Sequence, residues 1–227
     1  MNSKTVNTIH ERIIGRGTKR EKAVAEVYYQ YLKQRAKTRA KKLNRKYGTK
    51  IQPLELQYVD PKEIKKSSKK PVKNNLLPNV KGGDWDQNLK DLRKSSKNAR
   101  SLEQRFKQGL DWDETEFYES KKKKFHENNT QYAKNNQDTF EQKLNRLDKL
   151  YQNIKQNGYK KQTELEDPTV SVNDKINHYL KEFNEVAIHK GRKEQKILAS
   201  GNHRTTIAQI LDIEKIPVRA VCRHKNG

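Results

Sequence analysis

The amino-acid sequence predicts an α+β protein, with a small mixed sheet and packed helices in its C-terminal half. Three observations predict this class. The 227 residues are 31% hydrophobic and 35% charged, which is too little apolar material for one core along the whole chain. Helical periodicity dominates residues 19–47 and 140–157. Short apolar runs bounded by glycine or proline, which are typical of strands, gather from residue 185 onward.

The first predicted helix runs from Lys19 to about Tyr47, where Gly48 ends it. Its apolar residues recur at helical spacing, and residues 33–50 contain many cations and no acid. One interpretation is a solvated helix that rests on the core. The other is a polyanion-binding arm, and its cations are Lys33, Arg35, Lys37, Arg39, Lys41, Lys42, Arg45 and Lys46.

Composition divides the chain into three parts. Residues 1–50 form the basic helical arm, and residues 51–64 together with 140–227 form the folded domain. Residues 65–139 begin as a linker rich in Lys, Ser, Asn and Pro and continue as a helical insert. Trp85 and Trp112 in the insert each lie between two aspartates. We interpret both as packing anchors whose flanking acids cap the following helix, rather than as carbohydrate or metal contacts.

The C-terminal half carries the clearest local patterns. An apolar stripe predicts a helix over 140–157 that Gly158 ends, and residues 185–200 read as a hairpin. A second helix over 204–211 and a last strand over 216–224 follow. Between the helix over 140–157 and the hairpin we expect a strand over 162–166 and a polar helix over 174–183.

Charge and cysteine usage limit the function. A formal charge of +23 attracts polyanions: nucleic acid, an anionic membrane surface or a phosphorylated ligand. No apolar run approaches the roughly 20 residues that span a bilayer, and the N-terminus lacks the apolar region of a signal peptide. The single cysteine, Cys222, excludes an internal disulfide and a multi-cysteine metal site. We therefore expect a cytoplasmic protein.

The stretch "ILASGNHRTTIAQIL", residues 197–211, is apolar in a polar chain. A strand that passes through a glycine turn into a helix N-terminus directs backbone N–H groups and the positive end of the helix dipole at one point. The stretch therefore has the chemistry of a phosphate cradle. Alternatively, Asn202 only caps the helix and Arg204 pairs with a local acid. Its residues are Ser200, Gly201, Asn202, His203, Arg204 and Thr205.

Two further residues are candidates for the same site, and His203 has a candidate catalytic role there. Arg219 and Arg223 share one face of the last strand and join Arg204 around an anion, or are surface cations. His203 is a candidate general acid–base. It is not a candidate metal ligand, because no second His or Cys stands at ligand spacing.

Several pieces resemble the ParB/sulfiredoxin superfamily, in the order of the ParB-like N-terminal domain that is also named the ParB-like nuclease fold. They are "LQYVDPKEI", "LDKLYQNIKQNGYKKQTEL" and "KILASGNHRTTIAQILDIEKIPVRAV". The family's G-x-x-R-x-x-A box falls on Gly201, Arg204 and Ala208. The resemblance covers residues 54–64 and 140–224. It implies nucleotide-phosphate binding at the box, with CTP, ATP or ADP, with or without Mg²⁺, as the cofactor.

The departures from the family narrow this expectation. ParB boxes usually carry Glu, and sulfiredoxins Cys, where Asn202 stands. The helix-turn-helix domain of ParB proteins has no counterpart in these residues. The pair His203-Arg204 is similar to the box of a second family with this fold, the ADP-dependent free-serine kinases. We expect a nucleotide- or phosphate-binding protein, either as a binder alone or as a phosphotransferase or nucleotide hydrolase. The alternative is a non-catalytic DNA- or RNA-binding protein that uses the basic arm. No cluster of acids at metal-binding spacing supports a nuclease.

Overall fold

A computed structural model describes residues 19–67, 76–126, 131–165 and 180–227. Its helices are α1 (Lys19–Tyr47), α2 (Leu92–Ser95), α3 (Lys97–Phe106), α4 (Glu116–His126), α5 (Gln131–Asn157) and α6 (Asn202–Ile210). Its strands are β1 (Leu56–Val59), β2 (Lys66–Ser67), β3 (Asn79–Lys81), β4 (Lys90–Asp91), β5 (Val186–Lys190), β6 (Lys196–Ser200) and β7 (Ile216–His224). Short 3₁₀ helices span Pro61–Glu63, Trp112–Glu114, Gln162–Glu164 and Lys181–Asn184. The α+β class predicted from the sequence is confirmed.

The strands form one mixed sheet in the order β1-β7-β5-β6-β2-β4, and β3 pairs with β7 beyond the end of β1. Strand β7 lies inside the sheet, antiparallel to β1 and parallel to both β5 and β3. Strands β5 and β6 form the predicted antiparallel hairpin. The first four residues of β5 and seven of the nine residues of β7 are buried. Such continuous burial is typical of strands that are covered on both faces of the sheet.

Helix α6 lies between two clusters of apolar side chains. Ala208 packs against the sheet with Val186, Ile188 and Val218. Ile207 and Ile210 face the other way, onto α3 and the apolar stripe of α5. That stripe is the predicted one: Phe140, Leu144, Leu147, Leu150 and Ile154. Because α6 is buried on two sides, the direction of its N-terminus is fixed by packing.

Helix α1 is part of the folded domain. Its buried stripe is the predicted one in its second half: Leu32, Ala36 and Ala40. Leu32 packs against Leu180 and Phe183, while Ala40 packs against Ile51 and Val80. The helix therefore covers apolar groups that would otherwise face water.

Two elements were predicted between α5 and β5, a strand and a polar helix, and their outcomes differ. The predicted strand over 162–166 is wrong: residues 162–164 form a 3₁₀ helix, because the carboxylate of Glu164 folds back to accept the Lys161 N–H at 3.0 Å. The predicted polar helix over 174–183 lies mostly outside the described residues. Within them, Lys181–Asn184 form a 3₁₀ helix.

The two tryptophans of the insert both anchor packing. Trp112 packs edge-on against Phe106 and donates from Nε1 to Asp148 of α5 at 2.9 Å. Trp85 packs against the rings of His189 and His224, each with a centroid separation of 5.8 Å.

The acids beside the tryptophans have different roles. Asp111 begins the 3₁₀ helix of Trp112, where its N–H donates to Glu114 at 2.8 Å. Asp84 and Asp86 instead hold the guanidinium of Arg192, so at Trp85 the expected helix caps are ion-pair partners.

Candidate functional site

Gly201 places α6 directly against β5. Its φ is +91°, and a Cβ at this position would stand 2.9 Å from Cγ2 and 3.1 Å from Cα of Val186. No side chain caps the helix here. The glycine is therefore required by a close approach of two backbone elements, and the space on that side of its Cα is filled by the protein itself.

Arg204 lies beside a buried acid. Its Nη1 is 3.5 Å from Oε2 of Glu185, and Nη2 donates to the carbonyl of Asn184. The other carboxylate oxygen of Glu185 accepts the Gln162 N–H at 2.6 Å. Burial raises the pKa of Glu185, while the Gln162 bond and the charge of Arg204 act against that rise. The anion at the box arginine is thus a carboxylate of the chain.

Two further groups belong to this buried cluster. Arg219 donates to the carbonyls of Phe183 at 2.7 Å and Leu76 at 3.2 Å, and burial lowers its pKa to about 10 against the opposing charge of Glu185. Burial raises the pKa of Tyr159, and the nearby charge of Arg204 opposes this. The charge of Arg219 therefore acts on the same carboxylate that pairs with Arg204.

Arg223 lies four residues further along β7 than Arg219, or about 13 Å at the rise of a strand. It is partly buried and in register with Val80 and Lys190. Two other residues of the predicted cradle, Ser200 and Thr205, differ in exposure: Ser200 is exposed at the end of β6, whereas Thr205 is fully buried. No described group hydrogen-bonds the Thr205 hydroxyl.

Asn202 and His203 face the N-terminus of a second helix. Nδ2 of Asn202 donates to Oγ of Ser96 at 3.1 Å, and Nε2 of His203 lies 3.5 Å from Nδ2 of Asn98. Ser96 itself caps α3 by accepting the Ala99 N–H at 3.2 Å. The positive ends of the α3 and α6 dipoles therefore lie side by side.

Two lysines add charge to these helix ends. Lys143 of α5 and Lys121 of α4 approach the ring of Phe117 at 5.4 and 5.8 Å. Burial and then the charge of Lys121 lower the pKa of Lys143. Burial, followed by the charges of Lys143 and Arg204, lowers the pKa of His203 to about 4, so its imidazole is neutral at pH 7. The charges that act on His203 are thus positive.

The cations of α1 divide into groups with different surroundings. Arg39 is tied to the carbonyl of Pro78 at 2.7 Å and to the side chain of Asn79. Lys33 pairs with Glu182 at 3.4 Å, and Arg35 lies over the ring of Tyr31. Lys37 lines a cavity. The remaining four are exposed, and no described acid pairs with them; we name them the basic patch: Lys41, Lys42, Arg45 and Lys46.

The sequence did not identify Glu185, Tyr159, Lys143 or Lys121 as members of a site. Glu185 carries a weak signal: it directly precedes the apolar run Val186–Ile188, and an acid that is buried with such a run needs a partner. The lysines carry none, because lysines on polar helices are usually solvated.

Other chemistry is limited. Burial raises the pKa of Cys222 to about 12, so its thiol is a poor nucleophile. In the part of the chain that the structure describes, no three His, Cys, Asp or Glu side chains converge as metal ligands. None of the described helices combines the length and the apolar character needed to cross a membrane.

No protein-family model, curated protein or solved structure matches the chain.

Proposed function

We propose that this protein binds nucleic acid through backbone phosphates, and that the basic patch is the contact surface. The observation that carries the proposal is the state of the four cations of the patch: each is exposed, and no described acid neutralises it. They stand on a helix whose opposite face is held in the core by Leu32, Ala36 and Ala40. The patch is therefore a rigid, uncompensated cationic surface within a chain of net charge +23.

The spacing of the patch suits a phosphate backbone. Lys41 and Arg45 form one row along α1, and Lys42 and Lys46 form a second. Residues four apart on a helix are neighbours about 6 Å apart along its axis. The aromatic residue that directly follows the patch is Tyr47, and the ammonium of Lys46 already lies 5.2 Å from the centroid of its ring. Binding should thus depend on phosphates rather than on base stacking or base edges.

The salt dependence of binding tests this proposal. Four phosphate contacts give a slope of about −3.6 in log affinity against log salt concentration on duplex DNA. Fluorescence anisotropy with a labelled duplex measures the slope for the wild type and for a variant in which all four patch residues are Gln. We expect the slope of this variant to fall close to zero.

A charge-matched control separates position from total charge. Exposed lysines on other elements, Lys149, Lys160, Lys193 and Lys215, are replaced by Gln, which removes the same four charges. This control should keep most of the wild-type slope. Equal slopes for the two quadruple variants would show that net charge alone binds the duplex, and would reject the patch as the site.

A second candidate function is the binding of a nucleotide phosphate where α3 and α6 begin. The observation that favours it is the set of positive groups near His203. Lys143 acts on the imidazole by its charge, Lys121 lies over the same Phe117 ring as Lys143, and two helix N-termini meet here, one without a side-chain cap. CTP, ATP or ADP, with or without Mg²⁺, would place phosphate oxygens against these groups. Membership of the ParB/sulfiredoxin superfamily is part of this proposal, and the strand–glycine–helix order of β6, Gly201 and α6 supports it.

Thermal unfolding with CTP, ATP, ADP and GTP, each with and without Mg²⁺, tests the second candidate. One nucleotide should raise the unfolding midpoint of the wild type and leave that of Lys143→Gln unchanged. Lys149→Gln, an exposed site on the same helix, serves as the control and should respond like the wild type. No stabilisation by any nucleotide would reject this candidate and leave the nucleic-acid proposal intact.

A further inference from the structure

The exposed face of α1 covers about half of the helix in its C-terminal part. Lys37 and Lys46 are both exposed, and the nine residues that separate them correspond to about 180° around an α-helix. The residues that point into the arc between them are exposed as well: Thr38, Lys41, Lys42 and Arg45. On the opposite side, Leu32, Ala36 and Ala40 are buried. About half of the thickness of the helix therefore stands clear of the core.

The two rows of the basic patch diverge on this face. The row of Lys41 and Arg45 and the row of Lys42 and Lys46 are about 100° apart around the helix. Thr38 precedes Lys41 by three residues and Lys42 by four, so it is a neighbour of both rows, one turn earlier. It is exposed and carries no charge. The face therefore presents cations towards its two edges and a small neutral side chain between them.

The dimensions of this face correspond to those of the major groove of B-form DNA. An α-helix with its side chains is about 10–12 Å in diameter, and the major groove is about 12 Å wide and about 8.5 Å deep. The exposed half of α1, about 5–6 Å thick, can enter such a groove. Phosphates of opposite strands border the groove on its two sides, so that two diverging rows of cations can each meet one strand. The minor groove, about 6 Å wide, is too narrow for a helix.

From this geometry we propose that the C-terminal half of α1 lies in the major groove of B-form duplex DNA. The row of Lys41 and Arg45 contacts the phosphates of one strand, and the row of Lys42 and Lys46 contacts those of the other. This inference rests on the proposed function, because it uses the same basic patch, and it names duplex DNA as the nucleic acid. A duplex of RNA is a poorer ligand, since the major groove of the A-form is deep and narrow.

Two duplexes of the same sequence, one of DNA and one of RNA, test the choice of groove. Fluorescence anisotropy at about 0.1 M salt should give an affinity for the DNA duplex about tenfold higher than for the RNA duplex. Both duplexes carry the same number of phosphates, so contact with phosphates on an outer surface predicts similar affinities. Equal affinities that still depend on the basic patch would overturn this inference and leave the proposed function intact. No binding to either duplex would reject the proposed function itself.

Two double variants test whether both rows are used. Lys41→Gln with Arg45→Gln removes one row, and Lys42→Gln with Lys46→Gln removes the other. All four side chains are exposed, so both variants should fold like the wild type. Each should reduce the slope of log affinity against log salt concentration on duplex DNA by about 1.8, because each loses two phosphate contacts. A slope that is lost with one row and kept without the other would place the helix along a single strand, outside the groove.

Disulfide cross-linking locates the helix in the duplex. Thr38→Cys puts a thiol at an exposed position between the rows, whereas the native Cys222 is buried and its raised pKa of about 12 keeps it unreactive. The variant should cross-link to a thiol tethered at the 5-position of a pyrimidine, in the major groove, and not to one tethered at N2 of guanine, in the minor groove. The wild type and Lys149→Cys, an exposed position on α5, should cross-link to neither. Failure of Thr38→Cys to react with the pyrimidine thiol, or equal reaction with the guanine thiol, would overturn the inference.

Discussion

The guanidinium of Arg204 and the carboxylate of Glu185 form an ion pair with an Nη1–Oε2 distance of 3.5 Å, where the two side chains are 15% and 1% exposed. The pair joins the first turn of α6 to the residue before β5. Removing charges from water costs several kcal/mol per ion, and mutual attraction repays this only in part. The intact pair therefore contributes little net stability to the fold. Loss of one partner is costly, because it leaves the other charge buried without its partner.

Arg204→Ala should lower the free energy of unfolding by about 3–5 kcal/mol, because it leaves Glu185 charged and unpaired in the interior. The double variant Arg204→Met with Glu185→Gln should lose clearly less, since it removes both charges. Urea denaturation of Arg204→Ala, of the single variants Arg204→Met and Glu185→Gln, and of the double variant measures this. Strictly additive losses would show that the two side chains do not interact. A large loss in Arg204→Ala would also make it a poor probe of ligand binding, for which Lys143→Gln is better suited.

Gly201→Ala should destabilise the protein more than Gly158→Ala. Both glycines have positive φ, +91° and +72°, so both substitutions carry the backbone cost of about 1 kcal/mol. Only at Gly201 would the new Cβ meet Val186, at 2.9 Å, whereas nothing lies within 4 Å at Gly158. We expect a total loss of about 2–4 kcal/mol at Gly201 by chemical denaturation. Equal losses at the two positions would contradict the close approach of α6 and β5.

Arg39→Ala and Lys42→Ala should separate structural cations from binding cations on α1. Arg39 is bound to Pro78 and Asn79 before and at β3, so its loss should lower stability by about 1–2 kcal/mol. Lys42 is exposed and has no described partner, so Lys42→Ala should leave stability within about 0.5 kcal/mol. Binding to duplex DNA should show the opposite ranking of the two variants. Only Lys42→Ala should reduce the slope of log affinity against log salt concentration, by about 1. A stability loss in Lys42→Ala as large as in Arg39→Ala would contradict this assignment.

The parts of the fold predicted from the sequence are those with a local signal. Helix α5 shows a 3.6-residue apolar stripe closed by glycine, and the β5–β6 hairpin shows two apolar runs around Lys190-Gly191-Arg192. The 3₁₀ helix at 162–164 was missed because it depends on one carboxylate folding back onto Lys161. Periodicity cannot register a single side-chain contact of that kind.

The candidate site was predicted only in part, for a related reason. The glycine and arginine of the box stand in one short stretch, so their chemistry was evident before their partners were known. Their partners stand at the other end of the preceding hairpin, and their exact contacts are not local: Val186 fills the space at Gly201, and Glu185 faces Arg204. Likewise, Lys143 approaches His203 only because α5 packs across α6. Such pairings follow from tertiary packing, which a single sequence of this composition does not reveal.

His203 should make stability depend on pH between about 4 and 6.5. Its pKa is lowered to about 4 in the folded protein, mainly by burial, against an ordinary value of 6.5. Above pH 6.5 the imidazole is neutral in both states. As the pH falls through this window, the unfolded chain takes up a proton that the folded protein refuses, so folding loses stability. Between pH 7 and pH 5 the loss should be about 2 kcal/mol. Urea denaturation of wild type and His203→Gln at both pH values isolates this contribution, because the acidic groups titrate alike in the two proteins. The wild type should lose about 2 kcal/mol more than His203→Gln. Parallel losses in the two proteins would mean that His203 takes up its proton equally in the folded and unfolded states, so that burial and the nearby cations do not lower its pKa.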